Sequence, residues 1–266
     1  MTASPYVSYP APPPPTPYGD PRKRRVLLAV AAAWGLLLAT TGIWYSLHGR
    51  HTAREQTTIA AAQATVDQAI ANVVWAAGGS AVPAVFGFEK VADCKVTPIR
   101  GGAKYERMLW LYVPVDGEPA LLDRIATGLP AGYHARAHHS PGGALHTLAA
   151  DAGDFVAVNG SVPAPGLVSV KAETGCRTLG HEPATDPTTT PGTDPLGVKG
   201  DWRLHSLPCG LRTAAVTGPG TKPVSGLPRT AVVVATEDVY ADHAGLGARH
   251  DGDTVTVSVT TGTCRP

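Results

Sequence analysis

The chain has 266 residues, with 22 Lys+Arg against 21 Asp+Glu and a formal net charge of +1. Near-neutrality without a basic stripe argues against a nucleic-acid partner. With 30 glycines and 25 prolines, the composition favours short strands and turns over a helical bundle.

Residues 1–25 begin with a Pro- and Tyr-rich run (SPYVSYPAPPPPTPYGDP) that cannot bury a core and reads as a disordered, polyproline-leaning tail. Arg22-Lys23-Arg24-Arg25 then precede 22 uncharged residues, Val26 to Leu47. At about 1.5 Å per residue, a helix of that length crosses a bilayer core. A cleaved signal peptide would have an apolar core of only ~7–15 residues and a small-x-small exit. Here the exit is Ile43-Trp44-Tyr45, so residues 26–47 read as a retained transmembrane signal-anchor, with the lipid bilayer as its partner. The basic cluster ahead of the span outweighs Arg50, Arg54 and Glu55 behind it. The N-terminus is therefore expected in the cytoplasm and the C-terminal bulk outside the cell membrane.

Residues 52–78 are Ala-rich, and Ile59, Ala62, Val66, Ala69, Ile70 and Val73 recur at helical spacing. This segment reads as a helical stalk. Its stripe is either a dimer seam or a face packed on the module that follows.

Beyond the span the balance is 18 basic against 20 acidic residues, because only four basic residues and one acidic residue precede it. All four cysteines, Cys94, Cys176, Cys209 and Cys264, lie there too. An even count on the oxidising side of a membrane is a disulfide signal, although four cysteines allow three pairings. An internal repeat favours one of them. Val168-Ser-Val-Lys-Ala-Glu-Thr-Gly-Cys176-Arg177 parallels Val257-Ser-Val-Thr-Thr-Gly-Thr-Cys264-Arg265, and each has an upstream cysteine opening an apolar strand. The expected bridges are Cys94–Cys176 and Cys209–Cys264.

The predicted fold is α+β: an N-terminal transmembrane helix and stalk, then two small, mostly antiparallel modules, each closed by a disulfide. Module one covers residues 88–177, a Pro/Thr-rich linker 178–200, and module two 201–266. In module one, residues 89–99 and 104–115 read as strands around an Arg100-Gly101-Gly102 turn. A helix follows over Glu118–Gly128, with Pro119 near its start. Residues 133–139, 155–162 and 167–172 read as further strands, with Asn159-Gly160 a tight-turn signal. In module two, residues 204–216, 230–236 and 254–261 read as strands, and 237–246 as at most a short helix.

Known catalytic spacings are missing: no G-x-S-x-G, H-E-x-x-H, P-loop or C-x-x-C occurs. The histidine-rich stretch offers His134, His138 and His146 as candidate metal ligands. However, Arg136 lies between the first two, and its fixed positive charge opposes a dication. His250-Asp251-Gly252-Asp253 is too short for a calcium loop and reads as a turn. The Thr-rich run into Cys264 resembles the strand leading to the nucleophile of sortases. That family's arginine lies on a later strand, whereas Arg265 is adjacent, and the matching ending at Cys176 favours a structural bridge. The sequence therefore predicts a non-enzymatic bacterial envelope protein, without cofactor, whose ectodomain binds an envelope protein partner. The alternative is a metal-sensing or hydrolytic ectodomain using the histidines.

Overall fold

The computed structural model describes residues 21–48, 57–143, 145–190, 194–220, 224, 227 and 230–264. Most of the predicted tail, the start of the predicted stalk, residues 191–193 of the predicted linker and Arg265 lie outside the described residues. The chain divides into two compact units, one containing the N-terminal helix and the other everything from the second helix onward.

Helix α1 (Pro21–His48) forms the first unit and is the one described helix long and apolar enough to cross a membrane. Its apolar side chains, among them Leu36, Leu37, Leu38 and Trp44, are exposed. The two threonines inside it turn inward: Thr40 and Thr41 donate to the Leu36 and Leu37 carbonyls at 2.8 and 2.7 Å. This removes two hydroxyls from a face that is otherwise apolar.

The second unit begins with α2 (Ile59–Ala77), capped by Thr58, whose hydroxyl accepts the Ala61 N–H at 3.4 Å. Strands β1 (Val82–Thr97) and β2 (Arg100–Tyr112) follow, then α3 (Glu118–Gly128). Strands β3 (Arg136–His139), β4 (His146–Asp151), β5 (Val156–Ala164) and β6 (Leu167–Thr174) complete a six-stranded antiparallel sheet, ordered β1-β2-β6-β5-β4-β3. The second sheet contains β7 (Arg203–Ser206), β8 (Arg212–Pro219), β9 (Val232–Ala235), β10 (Val239–Asp242), β11 (Leu246–Asp251) and β12 (Thr254–Thr261). Its order, β7-β8-β12-β11-β10-β9, repeats that of the first sheet strand for strand. The sequence repeat is thus a topological repeat: β6 and β12 are equivalent central strands, and each runs into its cysteine.

The predicted disulfides form, Cys94–Cys176 closing 82 residues and Cys209–Cys264 closing 55. In each repeat the bridge ties the end of the last strand to the opening hairpin.

The core is layered. Alternation along β2 sends Leu109, Leu111 and Val113 to one face, against α2 and α3, and Met108, Trp110 and Tyr112 to the other. The predicted helical stripe is buried on the first face: Ile59, Val66, Ala69, Ile70 and Val73 are fully covered. From Thr57 on, the 52–78 segment follows the second of its two readings, a stripe packed on the module that follows. It is a packed helix of the folded unit, and its seam is occupied by the chain's own sheet. Trp110 and Tyr112 meet the second sheet, where Val234, Val239 and Ala241 complete a shared cluster. The outer face of the second sheet is covered by Leu196, Val198, Trp202, Val224 and Leu227. Much of the predicted linker is thus a covering layer, with Thr188 bridged to Arg203 at the β7 edge.

Other expectations shift for local reasons. The first hairpin turns at Pro98-Ile99, not at Arg100-Gly101-Gly102, because Thr97 pairs with Arg100 and its hydroxyl accepts the Arg100 N–H at 3.1 Å. Pro98 has the fixed φ that suits a turn. Asn159-Gly160 lies inside β5 rather than at a turn. A Cβ on Gly160 would stand 2.9 Å from that of Leu148, so the glycine admits a neighbouring strand. Residues 204–216 split into β7 and β8 around Gly210, whose φ is 93°. Residues 237–246 supply β10, paired on both sides, rather than a helix.

Candidate functional site

The candidate histidines separate. His134 is outside any strand, in a left-handed conformation at φ 49° after a short 3-10 turn over Ala131–Tyr133. The strand expected over 133–139 begins only at Arg136, so His134 does not share a face with His138. Arg136 and His138 point to the exposed side of β3, whereas His139 points to the helix side. His146 pairs with His139 directly across the β3–β4 ladder.

The histidines brought together are therefore His139 and His146, with Nδ1 atoms 2.8 Å apart. The Nε2 of His139 lies 3.1 Å from Asp123 Oδ1 on α3. With Nε2–H directed at Asp123, Nδ1 of His139 accepts the Nδ1 proton of His146. That arrangement is a proton-sharing chain, and its facing nitrogens are spent on each other. Among the described residues, no group of three His, Cys, Asp or Glu side chains is placed to hold a metal ion. His139 and Asp123 were not predicted. Cross-strand register would have paired His139 with His146, but β4 itself was not read from the sequence.

A second cluster lies where the sheets meet, in a polar cleft of about 390 Å³ lined by Glu89, Tyr105, Glu182, Asp186, Arg203 and His205. His205 is buried, and its Nδ1 is 2.8 Å from Asp186 Oδ2. The former linker delivers Asp186, held by the Leu204 N–H donating to Pro187 O at 2.9 Å and the Thr189 N–H to Trp202 O at 2.8 Å. A second buried pair, Asp67 of α2 and Arg107 of β2, is in contact at 2.7 Å. Burial pushes the Asp67 carboxyl above its ordinary range, while the Arg107 charge pulls the other way. Arg107 also donates to Phe86 O at 2.9 Å.

Arg177, next to the first disulfide, is 1% exposed. It donates to the Thr57 hydroxyl at 2.7 Å and to the Asp154 carbonyl, and burial lowers its pKa. It pins the start of the second unit to the β4–β5 turn.

The third feature is a groove of about 600 Å³ at the C-terminal end of α2. Trp75, 49% exposed, lies beside Pro130, Pro208 and the Cys209–Cys264 bridge. Its polar contributions are the amides of Gln68 and Asn72, the latter donating to Tyr133 Oη at 3.0 Å. Among the described residues, no charged side chain lines it. A half-exposed tryptophan among apolar neighbours is the residue type on which binding energy concentrates.

Comparison with protein-family models, with curated proteins and with solved structures found no match.

Proposed function

We propose that this chain is a single-pass protein of a bacterial cell membrane, with its N-terminus in the cytoplasm and its two-sheet unit outside. In this reading the outer unit is a non-enzymatic binding ectodomain, and α1 holds it at the bilayer. An apolar 28-residue helix at one end of the chain and two disulfides at the other support that orientation.

The Trp75 groove carries the binding role. The described lining residues, Trp75, Pro130 and Pro208 among them, are uncharged and suit a neutral, apolar segment of another envelope protein better than a charged one. Its position suits capture: Trp75 lies 17 residues along α2 from Thr58, so the groove is about 25 Å from the end at which the tether joins.

In-cell photocrosslinking tests this, with benzoylphenylalanine at Gln68 in the full-length chain. The expected result is one adduct to a mass-identified envelope protein, lost in the Trp75→Ala variant. Absence of any adduct above a probe at exposed Leu145 would refute the groove's role.

A further inference from the structure

We propose that the tip of the β1–β2 hairpin is a membrane-surface contact, seating Pro98-Ile99 on an anionic bilayer with Lys95 and Arg100 against its headgroups. This rests on the anchor reading above.

The first observation is exposure. Ile99 is 98% exposed, more than any other large apolar side chain among the described residues, the transmembrane candidate included. An isolated exposed leucine or valine on a protein surface is ordinary. An isoleucine standing clear at the end of a projecting arm is different, because none of the described residues covers it. The arm is fastened to the body at Cys94–Cys176 and at the Ala103–Arg177 bridge. Ile99 lies four residues past Ala103, about 14 Å farther along the strand.

The second observation is where the tether joins. Thr57 and Thr58 begin the folded unit, and Arg177 binds Thr57 while the Ile59 N–H donates to Thr178 O at 3.0 Å. The attachment point and the base of the arm are therefore the same end of the sheet. Only eight residues separate His48 from Thr57, a reach of no more than about 30 Å when fully extended. On the anchor reading, that length is the farthest Thr57 can lie from the end of α1. The same end of the sheet also presents Phe155, 40% exposed in a left-handed turn, and Leu179, 42% exposed. The Gly175 N–H donates to Phe155 O at 2.9 Å, which places the Phe155 backbone beside the residue preceding Cys176.

The third observation is charge. Residues 94–104 include Lys95, Arg100 and Lys104 and no acidic residue. Lys104 pairs with Glu173 at 3.3 Å, and among the described residues Lys95 and Arg100 have no carboxylate partner. An apolar tip flanked by unneutralised cations matches the boundary between anionic headgroups and acyl chains. A bilayer is favoured over a protein partner of acidic, apolar character because the tether joins at the same end of the sheet as the arm.

The test uses the full-length chain in lipid nanodiscs, with benzoylphenylalanine at position 99 or, as a control at the opposite end of the sheet, at Leu145. The expected result is a lipid adduct at position 99 in discs containing anionic lipid and little at 145. The adduct should fall at least about fivefold when Lys95→Glu and Arg100→Glu are combined. Equal labelling at the two positions in a properly incorporated chain would overturn the contact alone. Failure of the chain to enter discs would instead overturn the anchor reading, and the contact with it.

Discussion

Asp67 on α2 and Arg107 on β2 meet at 2.7 Å beneath the first sheet, with side chains 14% and 2% exposed. This contact welds α2 to a central strand, in keeping with the reading in which the helical stripe packs on the module that follows. Truncating the carboxylate strands a buried guanidinium that cannot discharge itself. Asp67→Ala is therefore expected to cost about 3–5 kcal/mol in urea unfolding of the two-sheet unit, and Asp67→Asn, which keeps an acceptor oxygen, less than half as much.

The same pair sets a pH dependence. Because burial raises the Asp67 pKa in the folded state, that state holds the proton more tightly than the unfolded chain does. This contribution is complete below the ordinary carboxylate value of 3.8 and is lost as pH rises through the elevated one. The stability of wild type relative to Asp67→Asn should thus decline across that window and then level off. Paired unfolding curves at steps between acid and neutral pH read this directly, and a margin that grows with pH would contradict it.

Gly247 of β11 lies under the Tyr112 ring, and a Cβ there would stand 2.5 Å from Tyr112 Cε2. The ring is fully buried where the two sheets face each other, and its burial raises the phenol pKa. Gly247→Ala is expected to destabilise by about 1–3 kcal/mol through overpacking. Combining it with Tyr112→Leu should recover part of that loss, so a double-mutant cycle by thermal melting should show coupling rather than additivity.

Each disulfide closes a long loop, 82 or 55 residues, and on the chain-entropy account is worth about 4 kcal/mol. Replacing Cys209 and Cys264 together with serine should lower the denaturation midpoint about as much as replacing Cys94 and Cys176. Non-reducing peptide mapping of the wild type should recover only the two sequential bridges.

The facing nitrogens of His139 and His146 share a proton, and His134 and His138 lie elsewhere. Titration calorimetry of the two-sheet unit with Zn²⁺ is expected to show no micromolar binding, and His146→Ala to leave the baseline unchanged.

The legible parts of the fold were those governed by local rules. The Glu118–Gly128 helix carries its proline and glycine at the ends, and the repeated Cys-Arg endings favoured the two bridges that form. The stripe from Ile59 to Val73 was visible as apolar spacing, but spacing cannot say whether its partner is another chain or the chain's own sheet. Strands β4, β10 and β11 escaped because they are four to six residues long and punctuated by His, Asp and Gly. Their strand character comes from neighbours on both sides rather than from propensity. The linker escaped for the opposite reason. Its Pro/Thr composition hid Leu196 and Val198, two residues that cover a sheet face. The site followed the same pattern: His146 was noticed, yet its partner His139 required a register that only the assembled sheet supplies. Trp75 and Asp186 carried no motif at all.

The most direct test of the central claim is the location of the two-sheet unit, read by a paired topology reporter fused after residue 266. Active alkaline phosphatase and a dark cytoplasmic fluorescent protein at that position, in a carbonate-resistant membrane fraction, are the predicted result. A fluorescent, phosphatase-inactive fusion would place the cysteines in a reducing compartment and contradict the account.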